Sequence, residues 1–166
     1  MNNVKVFAML SIAPMMACHQ AQKGEVVLSH QQIEEATSGL REAYAAFNRG
    51  DIDAAVRILD PGIEWIEPPE FPGGGTYHGV EGAKQYLAQS RASAAQVISK
   101  PEQFIPEGNR IIVFVHARVL ARGSNTWQDI RLADVYTFQN GRATHMRAFV
   151  NREDALRWAG VTAFRK

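Results

Sequence analysis

The chain has 166 residues, 46% of them hydrophobic and 21% charged, with a formal net charge of +1. That length is one domain's worth, enough to bury a sizeable core, and the composition is an ordinary globular mixture. No stretch concentrates Lys and Arg, so the basic footprint that phosphate binding needs is missing and nucleic acid is excluded as the main partner; no internal repeat or low-complexity tract is present.

The amino-terminal segment differs from the rest. Met1 to Lys5 is short and carries one positive charge, and Val6 to Ala17 is almost wholly apolar. That run is too short to span a bilayer but has the length of a signal-peptide core. It ends at Met15-Met16-Ala17-Cys18, followed by the polar stretch His19 to Glu25. Cys18 is the only cysteine, so an internal disulfide and a cysteine metal cluster are both excluded. A lone cysteine after a signal core, with a small residue before it, resembles the lipobox of bacterial lipoproteins. Met15 and Met16 depart from it, since Leu and a small residue are preferred there. The resemblance implies acylation at Cys18 and a membrane-anchored or periplasmic bacterial protein. An ordinary cleaved signal, or a buried first helix with an incidental cysteine, are the alternatives. Residues 1–28 are assigned to the signal and a short linker, and 29–166 to the folded domain.

Ser29-His30-Gln31-Gln32 has the spacing of a capping box and predicts a helix. Its apolar stripe is Ile33, Ala36, Leu40, Tyr44 and Phe47, and Gly50 stops it. Asp51 caps a second, shorter helix with Ile52, Ala55, Val56 and Leu59 inward, ended by Pro61-Gly62. Ile63 to Glu67 reads as a short strand and Pro68 to Gly75 as a loop. A third helix is expected from Glu81 to about Ala95, with Val80, Ala83, Tyr86 and Leu87 inward. Strands follow. Val97 to Ile105 carries Pro101, which assigns it to an edge or a bulge. Arg110 to Ala121 and Trp127 to Gln139 are long, and Asn140-Gly141 is a strong hairpin signal leading into Arg142 to Val150. Asn151 caps a last helix that Gly160 ends. Helices first and an antiparallel meander after them define an α+β domain, with N-terminal helices packed on a curved antiparallel sheet and a hollow between them.

Three polar groups stand out on otherwise apolar faces. Alternate side chains of a strand share a face, so Ile130, Leu132, Asp134, Tyr136 and Phe138 point together. A carboxylate at Asp134 is costly there unless it is paired, hydrogen-bonded or protonated, and desolvation raises its pKa. Glu67 shares a face with Ile63 and Trp65 and precedes Pro68, which places it at a pocket rim. Tyr44 lies within the inner stripe of the first helix, so its hydroxyl needs a partner. For each a structural reading stands beside the functional one. Asp134 could pair with an arginine across the sheet, Glu67 could be a solvated loop-edge residue, and Tyr44 an ordinary core tyrosine.

The runs Tyr44 to Asp51, Asp60 to Pro68, Gly75 to Gly82, Tyr136 to Arg142 and Met146 to Phe149, in that order, resemble the SnoaL-like proteins of the nuclear transport factor 2-like superfamily. The likeness covers roughly residues 31 to 160. It implies a cone-shaped fold with a deep pocket, lined here by Trp65, Phe71, Tyr77 and Val115 and by Leu132, Tyr136 and Met146. It does not imply one activity, because such folds host isomerases, cyclases, dehydratases and non-enzymatic binders. The polar pattern is similar to that of ketosteroid isomerase, in which a general-base carboxylate faces a tyrosine and a protonated aspartate. By that resemblance Glu67 falls on the base, Asp134 on the oxyanion-hole aspartate and Tyr44 near the tyrosine. Glu67 is one methylene longer than the family's Asp, and Tyr44 lies one residue nearer the Gly50-Asp51 turn. The resemblance also implies a homodimer through the outer sheet face.

Other chemistry is weakly supported. His116 and Arg118, and likewise His145 and Arg147, alternate against apolar neighbours and are expected to face away from the pocket. The five histidines show no paired metal-ligand spacing, so neither metal nor cofactor is expected. Gly73-Gly74-Gly75 lacks the helix and lysine of a phosphate cradle. Two functions follow. One is acid–base chemistry on a small hydrophobic carbonyl compound; the other is a non-catalytic periplasmic or lipid-anchored protein that holds a hydrophobic ligand.

Overall fold

The computed structural model describes residues 27–162, so the signal and lipidation assignments at Cys18 lie outside the described residues. Helix α1 spans His30–Arg49, and both arms of its capping box are formed: the Ser29 hydroxyl accepts from the Gln32 N–H and the Gln32 side chain accepts from the Ser29 N–H. Gly50 closes it in the left-handed conformation (φ 84°). A single turn, α2 (Ile52–Ala55), follows under an Asp51 cap.

Strand β1 runs Leu59–Glu67, so the chain turns extended earlier than expected and Pro61-Gly62 lies inside a strand instead of ending a helix. The interruption shows as a register shift between Leu59 and Glu64 against its neighbour, as proline and glycine in a strand demand. A four-residue strand, β2 (Gly75–His78), was hidden by the glycines and pairs antiparallel with β1. Helix α3 spans Gly79–Ala92. Strands β3 (Gln96–Glu107), β4 (Arg110–Leu120), β5 (Trp127–Gln139) and β6 (Arg142–Phe149) form the antiparallel meander. Helix α4 covers Arg152–Ala159.

Among the described residues six strands lie in the order β2-β1-β6-β5-β4-β3. β1 pairs parallel with β6, a contact between distant parts of the chain. Pro101 sits on the edge strand β3, where the register slips between Pro101 and Gln103. Asn140 (φ 51°) and Gly141 (φ 77°) both take the positive φ that a tight β5–β6 hairpin requires.

The sheet has two differently used faces. Ile63 and Trp65 of β1, Ile111, Val113 and Val115 of β4, Tyr136 of β5 and Met146 of β6 bury against Leu40 and Tyr44 of α1 and Tyr86 of α3. On the other face Ile112, Ala133 and Val135 bury against Ala155 and Ala159 of α4. The end of α1 is tied to β3 by the Asn48 side chain, which bonds both the N–H and the C=O of Ser99 at 2.8 Å. Among the described residues no helix is long and apolar enough to cross a membrane.

Candidate functional site: an acid-lined aromatic cavity

Between the helices and the inner sheet face lies a cavity of about 430 Å³, within the range of small-molecule sites. Tyr44, Glu67 and Asp134 all line it, arriving from α1, the end of β1 and the middle of β5. Of the other residues expected in its wall, Trp65, Phe71, Val115, Leu132 and Tyr136 are there.

Two expected lining residues are not. Met146 is fully buried and pairs with both Trp65 and Tyr136 in the sheet. Those two rings meet edge-on, with centroids 6.3 Å apart, so Met146 sits on the rung between them and belongs to the packed core. Tyr77 stands behind the wall. Its ring packs on Tyr86 at 5.3 Å and its hydroxyl donates to the Gly73 carbonyl at 2.6 Å. The loop that Tyr77 braces is closely folded, since a Cβ on Gly74 would come within 2.2 Å of the Pro68 carbonyl oxygen. Glycine is required there.

Register explains how the carboxylates come together. Asp134 pairs with Ala148 on β6, and Ile66 pairs with the adjacent Arg147, so the row continues from Asp134 over Ala148 toward Glu67. Two strand spacings, roughly 10 Å between backbones, separate them. The side chain on the strand between is a single methyl.

Each carboxylate has its own partners. Glu67 is 6% exposed, so it is a buried wall group and not a solvated rim residue. Its Oε1 accepts from the Trp65 indole N–H at 2.8 Å. Asp134 is half-buried and accepts from the Tyr44 hydroxyl, and Tyr44 in turn accepts from Tyr136 at 3.4 Å. The Asp134 partner is therefore a tyrosine and not an arginine across the sheet. The Tyr44 hydroxyl is likewise engaged by a carboxylate, where a core tyrosine would use a backbone carbonyl.

Burial pushes the Glu67 carboxyl up to about 8, and the nearby Asp134 charge adds to the shift; the Trp65 indole and the Tyr86 hydroxyl pull the other way. Burial also raises Asp134, to about 6, against the opposing hydrogen bond from Tyr44. Two carboxyls in one poorly solvated space resist ionising together. Tyr44 and Tyr136 are pushed well above the usual phenol range, first by burial and then by the Asp134 charge. Both tyrosines therefore stay donors.

Two further residues contribute beyond their expected packing roles. Tyr86, inward on α3, acts through its hydroxyl on Glu67. Trp65, in the cavity wall, holds Glu67 through its indole N–H, and their spacing of two on one strand is the sequence signal for it. His116 faces outward, bonded to Asp129 at 2.5 Å, and His145 is exposed. Among the described residues no group of three or more His, Cys, Asp or Glu is arranged to hold a metal ion.

A curved sheet whose helices close an aromatic, acid-lined cavity defines a pocket protein of the nuclear transport factor 2-like fold. The chain belongs to the family of the SnoaL-like domain, whose model matches residues 40–146. No curated protein sequence matches it. Among solved structures it is similar to TerC co-crystallised with polyporic acid (24% identity, 75% of this chain and 98% of that one, TM-score 0.64). It is similar also to an NTF2-like protein of unknown function from Burkholderia pseudomallei (26% identity, 76% and 98% covered, TM-score 0.64). A third is a putative SnoaL-like polyketide cyclase from Jannaschia (19% identity, 78% and 91% covered, TM-score 0.60).

Proposed function

We propose that the protein is a cofactor-independent acid–base enzyme of the isomerase, cyclase or dehydratase type, acting on a small, mostly apolar carbonyl compound. The observation that carries this reading is that Glu67 and Asp134 line one cavity from two different strands, where burial raises both carboxyls. Carboxyls raised toward neutral pH by burial are the groups that supply an acid and a base there. TerC, which shares the fold, was co-crystallised with polyporic acid, and this supports small-molecule binding as the role of this chain.

We assign the two roles in the reverse of the order the resemblance implies. The Tyr44 hydroxyl donates to the Asp134 carboxyl, which favours its ionised form. It takes a proton from the carbon next to the substrate carbonyl. Glu67 stays protonated and gives its O–H to the oxygen on which negative charge develops. The proton on Asp134 then returns to the carbon skeleton at a second position, which leaves both carboxyls as they began. Tyr44 orients the base and does not touch the substrate oxygen.

The test is hydrogen–deuterium exchange at the α-carbon of a panel of apolar ketones and enones, followed by NMR in deuterated buffer. Exchange above buffer, lost in Asp134→Asn and reduced in Glu67→Gln, is expected. Full exchange in both variants would end the reading, and a retained ligand with no exchange would favour a binding protein instead. We further propose export and lipid anchoring through Cys18. Acyl labelling should mark the wild type and not Cys18→Ala; equal labelling of both would contradict it.

A further inference from the structure

The charge in the cavity is one-sided. Its described lining includes Glu67, Glu70 and Asp134, and no lysine, arginine or histidine. The cations nearby are engaged elsewhere. Arg91, beside the Phe47 ring, donates to the Phe47 and Asn48 carbonyls. Arg131 and Arg152 bond Glu102 on the opposite sheet face, and Arg118 pairs there with Asp129. An anionic group entering the cavity would lose its water and find carboxyls and neutral donors but no cation in the described lining, which is costly.

The polar lining also falls into two clusters. Tyr44, Glu67 and Asp134 form the inner one, and Ser90, Ser99 and Gln128 belong to an outer one. Gln128 shares the inner face of β5 with Ile130, Leu132 and Asp134, six residues away, or roughly 20 Å along an extended strand. Ser99 pairs with Ala117, which pairs with Ile130, so it lies one rung nearer. Both backbone groups of Ser99 are held by Asn48, which fixes the residue and leaves its hydroxyl for the cavity. Between the two clusters the wall is apolar: Val115, Ala117, Ile130 and Leu132.

We propose that the cavity selects an elongated, uncharged molecule with a hydrogen-bonding oxygen at each end, one at Asp134 and Glu67 and the other at Ser99 and Gln128, and rejects molecules that must bring a carboxylate or phosphate inside. The inference names the ligand class for the proposed function, and rests on that reading only in using the same cavity. Ser99 and Gln128 set length and polarity at the outer end. The charge of the wall sets which molecules are refused.

Three compounds of one chain length test it: decanol, decanediol with a hydroxyl at each end, and decanedioate with a carboxylate at each end. The last cannot enter without burying a charge. The readout is the Trp65 indole N–H signal in nitrogen-15 spectra of the whole protein, because that group lies in the wall and bonds Glu67. At pH 7 the diol is expected to bind about threefold tighter than decanol, and decanedioate at least about tenfold weaker than the diol. In the double variant Ser99→Ala, Gln128→Ala the diol should lose its advantage over decanol. Decanedioate binding as well as the diol would overturn the proposal. So would a diol advantage that survives in the double variant, or a Trp65 signal that none of the three moves. Loss of catalysis as a reading would leave this selectivity standing, and failed selectivity alongside α-exchange would remove only the ligand class.

Discussion

The two faces of one sheet treat carboxylates in opposite ways. On the outer face Glu102 accepts from Arg152 at 2.7 Å and Arg131 at 3.1 Å, and the Arg152 hydrogen bond holds its carboxyl below the usual range. Asp129 beside it is bonded to His116. On the inner face Glu67 and Asp134 meet an indole, phenols and each other, and burial drives both upward. Asp129 and Asp134 lie on one strand, β5, on opposite sides of its alternation. A carboxylate near water with an arginine is part of a solvated surface. A carboxyl facing an aromatic cavity without one keeps its proton to higher pH.

Breaking the inner pair should have the largest effect. On a substrate that shows α-exchange, Asp134→Asn should cut the rate by roughly 10²–10⁴-fold, the usual worth of a positioned acid or base. Glu67→Gln should cost less, since the amide N–H still donates to the substrate oxygen. An equal or larger loss in Glu67→Gln would restore the opposite assignment of roles.

The pH dependence of stability sharpens the contrast next. A carboxyl whose pKa is raised by folding binds its proton more tightly in the folded state. Its contribution is fully present below the ordinary carboxylate range and is lost as pH rises to about 8 for Glu67. Glu67→Gln removes that loss. It should be more stable than the wild type at pH 9 by roughly 2–4 kcal/mol and close to it at pH 5, as read by denaturant unfolding at both pH values.

Tyr44→Phe removes the donor that favours ionised Asp134 and leaves that oxygen unsatisfied, a cost of about 1–3 kcal/mol in unfolding experiments. It should also move the Asp134 titration higher. The smallest effect belongs to the outer face. Glu102→Gln should change the melting temperature by no more than about 2 °C, with the difference shrinking as salt is added, because exposed ion pairs contribute little and are screened. A change at Glu102 as large as those on the inner face would erase the distinction between the two sides.

What could be read from sequence follows the range of the physics. Caps and turns are local, so Ser29 with Gln32, Gly50, Asn140-Gly141 and Asn151 were legible and are formed. Alternation along β5 was legible, and it exposed Asp134 as a carboxylate on an apolar face. The start of β1 was not, because Asp60-Pro61-Gly62 has the local chemistry of a helix end and only pairing with β6 makes it extended. β2 was lost for the same reason among glycines. In the site, a residue's face could be predicted but not what stands over it. Met146 has the right face and lies beneath two rings, and Tyr86 was visible as inward but its nearness to Glu67 depends on how α3 lies over β1. Glu67 illustrates the same limit: the strand end was evident, its burial was not.

Glu67 and Asp134 share this cavity with no cation in its described lining, and Asp134 is expected to ionise before Glu67. Carbon-13 NMR of the side-chain carboxyls across a pH titration tests it without a substrate, with Glu67→Gln and Asp134→Asn assigning the two signals. Asp134 is expected to titrate near 6 and Glu67 near 8, both above the ordinary carboxylate range. Both signals titrating with the surface acids near pH 4 would contradict it.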